Sequence, residues 1–130
     1  MPKLVVIIED SETIAPLEIA LAALDGVSTR HFSNGRDAAN FLRVPQTELS
    51  AVITDLNLPL LDGFELVAAV RSNAHYAGLP IIVLSGDVHP DTPVRLRELG
   101  VNAFFGKPYS PAKVRDTLEA LLHVKQTNRS

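Results

Sequence analysis

The apolar positions of the chain fall in short runs, and each run is stopped by polar or turn-forming residues. Residues 4–8 read Leu-Val-Val-Ile-Ile, a continuous β-branched run of the kind that forms a strand covered on both faces. It stops at Glu9-Asp10. Ser11 is placed to cap a helix that carries Ile14, Leu17, Leu21 and Leu24 at helical spacing. Pro16 falls early enough in that helix to be tolerated, with some bending. Asp25-Gly26 closes it, and residues 27–32 form a shorter second strand. Ser33-Asn34-Gly35 turns into a short helix through Ala38, Ala39, Phe41 and Leu42 that ends before Pro45. Residues 49–54 are a third strand leading to Asp55. A turn around Pro59 and Asp62-Gly63 follows. Asp62 and Glu65 have capping-box spacing at the start of the next helix, whose buried side is expected to be Phe64, Val67, Ala68 and Val70.

Residues 78–84 are the fourth strand, ending at Ser85-Gly86. Thr92-Pro93 reads as a cap followed by Pro at the first helical position. That short helix runs through Leu96 and Leu99 and stops at Gly100. Residues 101–105 are the fifth strand, followed by Gly106-Lys107-Pro108. Ser110-Pro111 opens the last helix, with Val114, Leu118, Leu121 and Leu122 inward. Five strands alternating with five helices over short connections predict an α/β domain with a parallel sheet covered on both faces. The domain is expected over residues 1–124, with a polar C-terminal tail over residues 125–130. No internal repeat, low-complexity segment or linker interrupts it.

Composition narrows the chemistry. The 130 residues suit one domain, and 46% hydrophobic with 21% charged residues fits a globular chain. The absence of Cys excludes a disulfide framework, a thiolate metal site and a Cys nucleophile. Only five apolar residues precede Glu9-Asp10, too few for a signal peptide or a membrane span, so a cytoplasmic location is the default. The net charge is −3 and Lys and Arg are scattered, so direct nucleic-acid binding is not expected. Asn128-Arg129-Ser130 matches a glycosylation sequon by chance. His31, His75, His89 and His123 lack ligand spacing and read as surface residues.

The polar stops of the strands are the informative feature. In an open parallel sheet, ligands sit at the carboxyl ends of the strands. Glu9-Asp10, Asp55, Ser85 and Lys107 end strands one, three, four and five, so all lie on one edge. Two carboxylates about 4 Å apart repel by roughly 4 kcal/mol at an effective dielectric of about 20. Three in one cleft need a cation. Oxygen ligands without His or Cys favour a hard ion such as Mg²⁺. Carboxylates, a hard cation, a Lys and a hydroxyl are the parts that hold the charged oxygens of a transferring phosphoryl group.

Glu9-Asp10, the segment Asp55-Leu56-Asn57-Leu58-Pro59-Leu60-Leu61-Asp62-Gly63, Ser85-Gly86 and Lys107-Pro108 closely resemble, in order and placement, the receiver domain of two-component response regulators. The resemblance covers residues 3 to about 124. It implies a flavodoxin-like, doubly wound five-stranded sheet of order 2-1-3-4-5. It implies that Asp55 is the phosphoacceptor, supplied by a histidine kinase or a histidine phosphotransfer protein. Asp10, Asp55 and the backbone carbonyl of Asn57 would ligate Mg²⁺, with Glu9 helping directly or through water. Lys107 would pair with Asp55 and then with the phosphoryl oxygens, and Ser85 would bond one of those oxygens. Phe104 stands at the family's aromatic switch position, and Lys107-Pro108 would be cis, a geometry that X-Pro bonds tolerate. Glu9 stands where Asp is commoner, Ser85 where Thr is commoner, and Phe104 lacks a Tyr hydroxyl. Pro90 and Pro93 are expected to shorten the fourth helix or stiffen the loop before it.

The implied mechanism is a switch. Phosphorylation adds negative charge at Asp55, Ser85 moves in, Phe104 rotates into the space behind it, and the surface of helix four, strand five and helix five changes for a downstream effector protein. Asn57 and Asp87 flank the site and would tune hydrolysis. The domain is then a signalling module, not an enzyme beyond self-phosphorylation and slow self-dephosphorylation. A receiver cut from a hybrid histidine kinase or longer regulator is the main rival, although the polar tail to Ser130 favours a stand-alone protein. A Mg²⁺-dependent aspartyl-phosphate phosphatase is disfavoured by Asn57, which stands where such enzymes place an acid. The intact acidic, hydroxyl and Lys set counts against a degenerate receiver, and the lack of a Gly-rich phosphate loop against a nucleotide-binding fold. A homodimer through helix four, strand five and helix five is left open.

Overall fold

Successive side chains along the inner strands are buried on opposite faces of the sheet, which sorts them into two cores. The computed structural model describes residues 3–10, 14–86 and 89–126. Its elements, in order, are β1 (Lys3–Ile8), α1 (Ala15–Leu21), β2 (Val27–Phe32), α2 (Gly35–Arg43), β3 (Leu49–Asp55), α3 (Gly63–Ser72), a 3₁₀ turn (Ala74–Tyr76), β4 (Ile81–Ser85), α4 (Thr92–Glu98), β5 (Ala103–Gly106) and α5 (Pro111–Leu122). The strands form one five-stranded sheet of order β2-β1-β3-β4-β5, and every pairing is parallel. Val6, Ile8, Val52, Ile81 and Val83 face α2, α3 and α4, together with Leu42, Leu66, Val70 and Leu96. Val5, Ile7, Ala51, Ile53, Ile82 and Leu84 face α1 and α5, against Leu17, Leu21, Val114 and Leu118. Runs apolar at every position, such as residues 5–8, therefore serve both faces at once.

Most element ends have a local cause. Asn34, Asp62 and Ser110 each accept a backbone N–H three residues on, capping α2, α3 and α5. Pro16 lies in the first turn of α1, where a missing N–H leaves no bond unmade. The expected Ser11 cap lies outside the described residues. Leu24, expected on α1, lies beyond its end but is buried, and it bridges to Gln126. The Asp25 N–H donates to the Lys125 carbonyl (2.7 Å), and Val124 packs on the α1–α5 core. The chain after α5 thus folds back onto the α1–β2 turn.

Four further sequence expectations need correction. On α3 the buried residues are Gly63, Leu66, Val67 and Val70, while Ala68 is exposed and Phe64 half-buried. The phase is set by Gly63, whose backbone lies against β3. Residues 78–80 are not strand; the chain makes a 3₁₀ turn that buries Tyr76 and enters β4 at Ile81. β5 begins at Ala103, because Gly100 (φ 76°) and the residues after it still close α4. Thr92 is the first residue of α4, not its cap; Asp91 holds the cap position, without a side-chain bond. α4 has only seven residues, with Pro90 before it and Pro93 in its first turn.

Arg71, at the end of α3, ties the α4 end of the molecule together. Its guanidinium donates to the carbonyls of Leu99 (3.1 Å), Tyr76 (3.2 Å), Leu79 (2.8 Å) and Gly100 (2.8 Å). Burial pulls its pKa below the usual Arg value, but a guanidinium stays charged at any ordinary pH.

Candidate functional site

The parallel register brings the polar strand ends to one edge. Asp55 ends β3 opposite Leu84, and Ser85 follows one residue further along β4, in register with Gly106 of β5. Lys107 comes next, and its N–H donates to the Ser85 carbonyl (2.8 Å). Glu9 follows β1, and its N–H donates to the Phe32 carbonyl of β2 (3.0 Å). Glu9, Asp55 and Ser85 are buried, at 4%, 5% and 0% exposure, whereas Asp10 and Asn57 are exposed.

Lys107 holds the centre of this edge. Its Nζ lies 2.5 Å from Asp55 Oδ2 and 2.8 Å from Glu9 Oε2. The other Asp55 oxygen, Oδ1, accepts the Asn57 N–H (3.1 Å). Two buried carboxylates so close together repel, and the ammonium between them offsets that repulsion. Burial lowers the Lys107 pKa, but hydrogen bonds and charge from Asp55 and Glu9 outweigh it, so the net shift is upward.

The backbone around Asp55 is fixed from behind. The Thr54 hydroxyl donates to the Asp55 carbonyl (2.9 Å), and the Gly63 N–H donates to the Leu56 carbonyl (2.8 Å). A Cβ on Gly63 would sit 2.2 Å from the Asp55 carbonyl oxygen, so only Gly lets α3 start this close to the site. Next to it, Phe64 carries the Arg95 guanidinium of α4 over its ring, 3.8 Å from the centroid. Asp62 and Glu65 at the start of α3 are like charges, and Asp62 raises the Glu65 pKa.

Ser85 lies two residues after Val83 and therefore on the α4 side of the sheet. Phe104, in register with Val83, is half-buried against the same core. A Cβ on Gly86 would have only Lys107 Cβ near it, at 4.0 Å, so there is open space beside Ser85. Lys107-Pro108 is cis, as expected. Asp87 lies outside the described residues.

Two neighbours of the site were not expected from sequence. His31, at the end of β2, is exposed as predicted, yet its Nε2 lies 2.8 Å from the Glu9 carbonyl. Tyr109 is half-buried beside the site, and its pKa is raised by burial and then by the negative charge of Glu9, against the opposing pull of Lys107. The sequence signal for Tyr109 was its place two residues after Lys107, across the Pro108 turn.

The donor set suits a hard cation. Among the described residues, no three His, Cys, Asp or Glu side chains already converge as a metal cluster. Glu9 and Asp55 nevertheless face one Lys107, and Asp10 follows Glu9 in the chain, so carboxylates outnumber the cation at this edge and supply oxygen donors. No helix among the described residues is long and apolar enough to cross a membrane.

Comparison with known proteins agrees with this geometry. The chain is 32% identical over 122 residues to the transcriptional regulatory protein GltR of Pseudomonas aeruginosa, covering 94% of this chain and 50% of that protein. It is 27% identical to the polar-differentiation response regulator DivK of Brucella anthropi, covering 94% and 98%. The chain thus spans about half the length of the curated relatives it matches at 32% identity, and nearly all of others. Its fold superposes on the chemotaxis response regulator CheY4 of Vibrio cholerae with a TM-score of 0.81 at 26% identity, covering 94% of this chain and all of that one. With a profile for the response regulator receiver domain matching residues 5–119, the chain belongs to that family of two-component signalling domains.

Proposed function

We propose that this receiver domain takes a phosphoryl group on Asp55 and passes the event to the surface formed by α4, β5 and α5. The observation that carries this reading is the Lys107 ammonium lying between the buried carboxylates of Asp55 and Glu9. A carboxylate already paired with a cation at a strand end can attack phosphorus without carrying bare charge. The Asp55 oxygen forms the new O–P bond. The donor's P–N bond breaks if the donor is a phosphohistidine on a kinase or phosphotransfer protein, and the imidazole departs with the bonding pair. Lys107 then follows the charge from the carboxylate to the phosphoryl oxygens, and the Ser85 hydroxyl donates to one of them. Glu9, Asp10, Asp55 and the Asn57 carbonyl would hold Mg²⁺, whose positive charge would offset the negative charge of the phosphoryl oxygens.

The read-out follows from packing. Ser85 and Phe104 share the α4 side of the sheet, so a Ser85 drawn toward phosphate leaves space that Phe104 can fill. The changed α4–β5–α5 surface meets an effector protein. The domain acts in the cytoplasm as a signalling module, with no chemistry beyond gaining and slowly losing its own phosphate.

Intact-mass analysis after incubation with acetyl phosphate tests the reading. We expect one added phosphoryl group in wild type with Mg²⁺, and none without Mg²⁺ or in Asp55→Asn. A gain that survives Asp55→Asn, or no gain from either acetyl phosphate or a phosphorylated phosphotransfer protein, rejects Asp55 as the acceptor.

A further inference from the structure

A second concavity lies between α2 and α3, away from Asp55. α3 starts beside Asp55 and has ten residues, so its far end is about 15 Å of helix away at the usual rise. There a cleft of about 330 Å³ opens, within the size range of small-molecule sites. Its floor is Leu42, Leu66, Val70 and Tyr76, all buried. Ala39 and Ala69 line it from α2 and α3, and their small side chains leave the gap between the helices unfilled. The Tyr76 hydroxyl is already engaged, donating to the Leu42 carbonyl (2.8 Å) and accepting the Gln46 N–H (3.1 Å), so the floor is apolar in effect.

Of the polar groups at the cleft, the Ser72 hydroxyl is engaged on the Ala69 carbonyl (3.0 Å), and Arg43 and Asn73 remain. Arg43 is its one charged lining residue, and among the described residues it has no ion pair or hydrogen bond. Arg43 is not needed to finish α2 either, because Gln46 Nε2 donates to the Phe41 and Val44 carbonyls (2.9 Å each). Arg71, the matching cation at the end of α3, is by contrast bonded to four carbonyls. Asn73 accepts the His75 N–H through Oδ1 (2.9 Å), which leaves its Nδ2 as a donor without an acceptor among the described residues. In a chain of net charge −3, an apolar cleft lined by a free guanidinium and a free amide donor, with no carboxylate, selects for an anion with an apolar body.

We propose that the α2–α3 cleft binds a small amphipathic carboxylate, its apolar part on Leu42, Leu66, Val70 and Tyr76 and its carboxylate on Arg43 and Asn73 Nδ2. The site is independent of the phosphorylation reading and shares no residue with it.

The test is a titration of the ¹⁵N-labelled full chain with octanoate, and separately with 1-octanol, followed by amide chemical shifts. Octanoate is expected to give saturable shifts at residues 39, 42, 69, 70 and 73, with octanol about fivefold weaker, the scale of one exposed charge contact. Arg43→Gln should abolish the preference while leaving weak octanol binding. Ala69→Leu should block both by filling the cleft. Asp55→Asn should bind like wild type, which separates this site from the phosphoacceptor. No saturable shift with octanoate, equal affinity for acid and alcohol in wild type, or shifts centred elsewhere would each overturn the proposal. So would a response only to a peptide with a C-terminal carboxylate, since the cleft would then be a protein-docking surface.

Discussion

At the scale of single residues, Lys107 and Tyr109 make the site sensitive to alkali. The folded-state pKa of each is raised, for Lys107 because Asp55 and Glu9 outweigh the opposing effect of burial, and for Tyr109 chiefly by burial. A group whose pKa is raised by folding contributes its full stability below its unfolded pKa and loses it as pH rises through the folded value. For Tyr and Lys that loss starts above about pH 10. In metal-free buffer the urea midpoint should hold up to that point and then fall. Tyr109→Phe should make the fall shallower, because the phenol no longer takes part. Superimposable alkaline limbs for the two proteins would contradict the role given to Tyr109. Glu9, Asp55, Ser85 and Lys107 were legible in the sequence because each stops an apolar run, and a parallel sheet puts such stops on one edge. His31 and Tyr109 were not. Their closeness to Glu9 depends on where a neighbouring strand ends and on how the chain turns after Pro108, and neither is a periodic signal.

At the scale of elements, α4 is a lightly anchored helix. It is short, its Asp91 cap makes no side-chain bond, and Val94 on it is half exposed. Arg71 secures only its far end, through the Leu99 and Gly100 carbonyls. Arg71→Gln should therefore cost about 2–3 kcal/mol in urea unfolding, since charged hydrogen bonds to half-buried carbonyls are lost. Amide exchange should also speed up in the α4–β5 turn ahead of the sheet. A loss under about 0.5 kcal/mol, typical of a plain surface change, would show that the clamp is redundant. Element type and order were readable from the apolar runs. What misled was phase and punctuation. The α3 face turned on Gly63 meeting the Asp55 carbonyl, a tertiary contact. Gly78 and Pro80 sit beside an apolar stretch and read as strand, although the chain there forms a turn around Tyr76. Arg71 itself gave no signal, because its partners are all backbone.

At the scale of the whole molecule, two layers of helices enclose one sheet, and the segment after α5 is fastened to the α1–β2 turn. The strand order has a kinetic consequence. β1 lies between β2 and β3, but its ladder to β3 joins Val5 to Ala51, 46 residues apart, against 24 for β1–β2 (Lys3 to Val27), 29 for β3–β4 (Val52 to Ile81) and 21 for β4–β5 (Ile82 to Ala103). Contacts that close over shorter stretches of chain form sooner. The β3–β4–β5 ladders are then the folding nucleus, and β1 with β2 docks onto β3 afterwards. In stopped-flow urea experiments, Ile82→Val should mainly slow refolding, whereas Ile7→Val should mainly speed unfolding. The reverse pattern would place the nucleus in the first half. Asp55 and Lys107 both belong to the early part, and Glu9 arrives with β1. During folding one acid and its neutralising charge are brought together first, and the second acid is the last piece to be delivered.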